Sequence, residues 1–418
     1  MQWLKTLEGY RLDKRVFRRA CEGGHLETVK WLRSEGCPWD EKASRGAAEG
    51  GHFEVLKWLK SEGCPWSEDA CTRAAKGGHL ETLKWLRSEG CSWNEETCDA
   101  AAAKGHTDTL KWLRSEGCPL GARTTCKAAA KGGHLGVLKW LRSEACSWDE
   151  SVCYEAAEGG HLEMLEWLVS QGCPWDERTC FSAARYGHLE ALKCLSLGGC
   201  EDWDRTICQE AAERGHFHVV KFLHENGRPW DEKVCEAAAS RGHLEMLKYA
   251  HENGCPWDEK VFKRAAANND LDALKYLHEN GCPWNEKACD AAVKGGYLDA
   301  LKYLHENGCP WDEVTCAEAA RVGRSDLLEY LHENGCPWDE RTCLWAAANC
   351  DIGLLKYAHG KGCPWDSNTR KNIGVTPDLD EYWGTREEVL KYLDENGCPK
   401  EGEDSPRGDW NIEVDWGV

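Results

Sequence analysis

One feature of this chain limits it to a repeat architecture: a short motif that returns every 27 residues. The hexapeptide "GCPWDE" runs from Gly36 to Glu41 and again from Gly172 to Glu177, with near-copies such as "GCPWSE" from Gly63 and "GCPWNE" from Gly281. Glycine to glycine, the step is 27 residues in all but two intervals, which are 28; both extra residues fall after the motif, in "GCPLGARTTC" and "GCEDWDRTIC". An insertion inside a helix would turn every later side chain by about 100°. The insertions therefore mark the loops, and units this small bury their apolar faces only by stacking on one another.

The copy from Trp93 to Cys118 shows the unit. Asn94, usually Asp elsewhere, suits an N-cap, and Glu95 and Glu96 suit the positive end of a helix dipole. An alanine-rich first helix follows and stops near Lys104-Gly105; a second helix runs from about Thr107 to Glu116 and stops at Gly117. In the neighbouring copy Thr82, Leu83, Trp85 and Leu86 share one broad arc, with Glu81, Lys84 and Ser88 opposite. The expected fold is all-α, a solenoid of stacked helix-turn-helix repeats. Thirteen units span residues 1–399 as a single array, with a partial unit at Trp3 to Gly9 and a degenerate segment at 367–386; the acidic stretch 400–418 is expected to be a disordered tail.

The string "AAKGGHLETLKWLRSEGC" (Ala74 to Cys91) resembles the second half of an ankyrin repeat. The match holds position by position in most copies up to Pro399. This form is similar to the short arrays of some algae and other protists and of large DNA viruses. It departs from the family in its length, the usual repeat being about 33 residues with a β-hairpin between units, and in lacking the Thr-Pro-Leu-His start of the first helix. The resemblance implies an ankyrin-like solenoid with shortened or absent β-hairpins, and a protein-binding role.

The recurring residues are read as structural. The 26 cysteines are expected to be reduced, small packing residues, because substitutions such as Ser44, Phe262 and Arg228 break the two cysteine classes independently. The histidines before the second helices, from His25 to His243, are expected to hydrogen-bond across turns between units. A second row, His224, His251, His278, His305, His332 and His359, is too widely spaced to close on one zinc ion. The motif tryptophans are expected to cover the core where the hairpin is cut away, and the aromatic row from Trp31 to Tyr330 to be second-helix core.

Binding should fall to positions that differ between units. Two slots on the exposed side of the first helix vary freely, one running from Arg18 to Leu344 and its companion four residues on, from Glu22 to Ala348. Their strongest patch is Tyr154, Phe181, Arg185 and Tyr186, and a second is Leu344 with Trp345; aromatics and arginines dominate interface hot spots. No phosphate loop, nucleophile elbow or zinc-protease spacing occurs, so no enzyme, cofactor or metal is expected. With 72 acidic against 52 basic residues the net charge is −20, which disfavours nucleic acid and anionic membranes. The expectation is a monomeric intracellular scaffold, cytoplasmic or nuclear, for an unidentified protein partner; the alternative is a structural spacer.

Overall fold

The computed structural model describes residues 12–67, 69–121, 123–199, 205–374 and 386–400. Among these residues every regular element is a helix, and most helices are nine residues long. The partial first unit, the centre of the degenerate segment and nearly all of the acidic tail lie outside the described residues. The chain divides into two compact units, Met1–Ile207 and Cys208–Val418, and the helix Thr206–Glu213 carries the boundary.

Local sequence explains each helix. Asp40 accepts from the Lys42 amide at 3.1 Å and opens the first helix Glu41–Glu49, while Asn94 and Thr97 form a reciprocal capping box at the start of Glu95–Ala103. The second helix Leu80–Ser88 ends at the motif glycine Gly90, whose φ of 87° is open to glycine at little cost. Ala145 occupies the same conformation at φ 58° in the one copy that lacks the glycine.

In the first unit each first helix packs beside the first helices of its neighbours, from Lys14–Glu22 through Glu177–Arg185; the second unit repeats this from Glu232–Ser240 through Ser367–Lys371. Alanine makes the approach close: Ala74, Ala75, Ala101 and Ala102 are fully buried. The second helices supply Leu83, Leu86, Leu110 and Leu113, also fully buried. No β-hairpin separates the repeats among the described residues.

The second-helix aromatics depart from expectation, since Trp31, Trp58, Trp85 and Trp112 are half-buried rather than core. Leucines one residue on fill the interior, and the rings instead meet the motif tryptophans edge to face. Trp39 packs on Trp58 at 6.2 Å and Trp93 on Trp112 at 5.7 Å. A cation or imidazole covers the outer face of the motif ring. In the first unit it is arginine, as with Arg33 over Trp39 at 3.8 Å and Arg87 over Trp93 at 4.1 Å. In the second unit it is histidine, stacked on Trp257 by His251 at 3.6 Å and on Trp311 by His305 at 3.8 Å. The second histidine row is thus a stacking row. Among the described residues no group of three or more His, Cys, Asp or Glu could hold a metal ion.

The histidines before the second helices bond between repeats as expected. The imidazole Nε2 of His52 lies 2.8 Å from the Glu22 carbonyl, and that of His106 lies 3.0 Å from the Lys76 carbonyl. Where Asp270 and Asp351 replace histidine they cap their own helices, and the bond passes to Asn268 and Asn349, whose amides donate to backbone carbonyls of the preceding repeat.

Candidate protein-binding face

The first helices lie side by side, so their variable slots form a common face within each unit. Much of that face is already engaged. Lys76 pairs with Glu49 at 2.7 Å, Arg45 with Asp69 at 3.5 Å, and Lys127 and Lys131 both reach Glu155, which is 5% exposed. In the second unit Arg264 pairs with Glu236 at 3.4 Å and Lys294 with Glu318 at 3.4 Å. These contacts link one repeat to the next. A slot that varies in sequence can therefore serve the stack through complementary charge, which the residues of a single repeat do not reveal.

The Tyr154 patch is a different kind of surface. Tyr154, Phe181 and Arg185 are half-buried, and Tyr186, which caps the helix Glu177–Arg185, is 40% exposed. The Tyr154 hydroxyl bonds Glu158, and burial first, then the Glu158 carboxylate, raise its pKa. Its phenol is close enough to Tyr186 for the two to interact electrostatically. The Tyr186 ring stacks on His188 at 6.5 Å. Beside Tyr154 an open hollow of about 330 Å³ is lined by Lys127, Glu150, Ser151, Asp176 and Arg178. Sequence reasoning did not connect these polar residues to the patch, because they come from three successive repeats and only stacking gathers them.

The second predicted patch divides. Trp345 is half-buried, but Leu344 is only 4% exposed. Arginine, lysine and glutamate in this slot carry a polar head out between neighbouring helices. Leucine has none and stays down between Glu313–Arg321 and Ser367–Lys371. Leu344 thus presents no side chain to a partner. The second unit instead contains a polar hollow of about 500 Å³ lined by residues including Gln209, Glu213, Lys233, Ser240 and Arg241. Gln209, Glu213 and Ser240 occupy the variable slots. Both hollows are shallow and mixed in charge, unlike the deep apolar pockets that hold small ligands. No described helix is long and apolar enough to cross a membrane.

The cysteines hold the corners. Among the described residues all but two of the 24 free cysteines are buried, and the motif thiol donates to the backbone carbonyl of its own repeat's first N-cap, as Cys118 does to Asn94 at 3.4 Å and Cys363 to Asp339 at 3.3 Å. Among the described residues Cys180 departs from the expected reduced state, being bonded as a disulfide. Its slot is the one that in other repeats faces a second sulfur. The motif cysteine and the first-helix cysteine seven or eight residues later are not the couple that meets. The cysteines that meet are instead those 20 apart, such as Cys71 with Cys91 and Cys98 with Cys118.

Tandem helix pairs, an interior shared between neighbours and a variable face define a helical-repeat protein. The family of ankyrin repeats (many copies) matches residues 208–251, 235–278 and 262–305. The stretch from 208 to 305 thus matches ankyrin repeats. No curated protein matches the chain. Among solved structures it is similar to the human ASB11 ankyrin repeat domain, at 20% identity and TM-score 0.33, over 38% of this chain and 84% of that one. It is also similar to the pentatricopeptide repeat protein PPR10 in complex with an 18-nt psaJ RNA element, at 13% identity and TM-score 0.39, over 95% of this chain and 70% of that one.

Proposed function

We propose that this protein is a non-catalytic scaffold that binds a protein partner through the variable face of its first helices, anchored at Tyr154, Phe181, Arg185 and Tyr186. The observation that carries the reading is the exposed Tyr186 ring set against half-buried Tyr154 beside a hollow edged by Lys127 and Arg178. Aromatic rings with few rotors and a charged rim favour association with a folded or peptide surface. Trp345 offers a secondary contact. Nucleic acid and anionic lipid are disfavoured by the net charge of −20. We place the protein in the cytoplasm or nucleus and regard it as a monomer.

Capture of partners from a lysate by the wild-type chain, compared with a Tyr154→Ala/Tyr186→Ala variant, tests the reading. A partner lost on the double substitution, with the melting profile unchanged, supports the scaffold. Capture indifferent to the patch points to the spacer role, which the internal pairing of the slot charges favours.

A further inference from the structure

We propose that the paired cysteines are oxidisable thiol couples: within one repeat, the first-helix cysteine and the motif cysteine 20 residues later close to a disulfide when the folded protein meets a low-molecular-weight disulfide. The two side chains of a couple contact one another at Cys71–Cys91, Cys98–Cys118 and Cys289–Cys309, and at five further pairs with the same spacing. Backbone geometry agrees: the Cys343 sulfur lies 3.8 Å from the Cys363 carbonyl oxygen, and that of Cys316 lies 4.0 Å from the Cys336 carbonyl. In the same first-helix slot, Cys180 is already bonded as a disulfide.

The two thiols of the Cys71–Cys91 couple differ. Cys71 is fully buried, whereas Cys91 at the corner keeps 7% of its surface exposed. The Cys71 thiol donates to Cys91, which holds the Cys91 thiol down to about 7 and that of Cys71 far up. In this couple the corner sulfur, on Cys91, is therefore the one that carries thiolate within reach of a small molecule.

Its thiolate attacks one sulfur of R–S–S–R, forming a protein mixed disulfide and releasing RS⁻, which takes up the proton. The first-helix thiol then loses its proton and attacks the corner sulfur, expelling the second RS⁻. Two protein thiols are oxidised by two electrons and one R–S–S–R becomes two R–SH. The bond ties the first helix to the far end of its own repeat and leaves neighbouring repeats unlinked.

Sequence breaks in the ladder provide internal controls. Ser44 stands 20 residues before Cys64, and Phe262 stands 20 before Cys282, so neither motif cysteine has a resolving thiol.

The folded full-length protein is incubated with oxidised glutathione, remaining thiols are alkylated under native conditions, and non-reduced peptides are mapped by mass spectrometry. The expected result is cross-linked peptides joining Cys71 to Cys91, Cys98 to Cys118 and Cys289 to Cys309, with Cys64 and Cys282 carrying glutathione or alkyl groups only. In a Cys71→Ser variant the glutathione adduct at Cys91 should accumulate more than tenfold over wild type. Links found only after denaturation, or joining different repeats, overturn the proposal, as does a Cys91 adduct that does not accumulate in the variant.

Discussion

The Cys37 thiol donates to the backbone carbonyl of Asp13, 3.3 Å away, and so joins the last corner of a repeat to the cap that opened it. The same bond recurs from Cys255 to Asp231 at 3.2 Å and from Cys309 to Asn285 at 3.4 Å. The motif cysteine is thus both a filler and a donor. Cys255→Ala should cost about 1–2 kcal/mol, combining a weak hydrogen bond with a small cavity. Chemical denaturation of the full chain checks this, with Cys255→Ser expected to recover only part of the loss because its shorter C–O bond does not reach as far.

A glycine in the turn between helices is held by both conformation and space. Gly78 has φ +73°, and an added Cβ would lie 2.4 Å from the His106 ring of the next repeat. Gly78→Ala should therefore destabilise by about 1–3 kcal/mol, more than the conformational penalty alone. Pairing it with His106→Ala should return part of the loss, and a double-mutant cycle read from denaturation midpoints measures the coupling.

The motif tryptophan and its cation form the outer seal. Removing Trp93, which lies under Arg87 and against Trp112, should cost about 2–4 kcal/mol. Amide exchange should rise first in Glu95–Ala103 and Thr107–Ser115, because stacked repeats open locally.

Burial depresses the pKa of His79 and His134 in the folded chain, outweighing the hydrogen bonds that Glu49 and Ala103 contribute in the opposite direction. The unfolded chain therefore takes up these protons more readily. The stability they contribute is full above the ordinary imidazole value of about 6.5 and is lost as pH falls below it. Melting midpoints should be lower at pH 5.5 than at 7.5, and His79→Asn should narrow that difference. An unchanged difference in the variant would assign the acid sensitivity to other groups.

Leu344 and Tyr186 should separate stability from binding. Leu344→Ala is expected to cost about 2–4 kcal/mol with partner capture intact in the folded protein, because the side chain is 4% exposed. Tyr186→Ala should change stability by about 0.5 kcal/mol or less. Thermal melts and a capture assay on the same samples check both expectations.

The sequence alone determined the repeat and its internal punctuation. A 27-residue step, Asp or Asn caps and glycine stops are local signals, and hydrogen bonding within five residues realises them, as at Asn94 and Gly90. The turn histidines were legible too, since they recur at one offset and meet a backbone carbonyl whatever the neighbouring side chain is.

Only the tertiary structure decided which residues meet across that step. It joined Cys71 to Cys91 rather than to Cys64, moved the second-helix tryptophans out of the core, placed Leu344 under its neighbours and brought Lys127 and Arg178 to the Tyr154 hollow. The reason is geometric: side chains of different repeats meet through the rise and rotation of the stack, and a repeat read by itself contains neither.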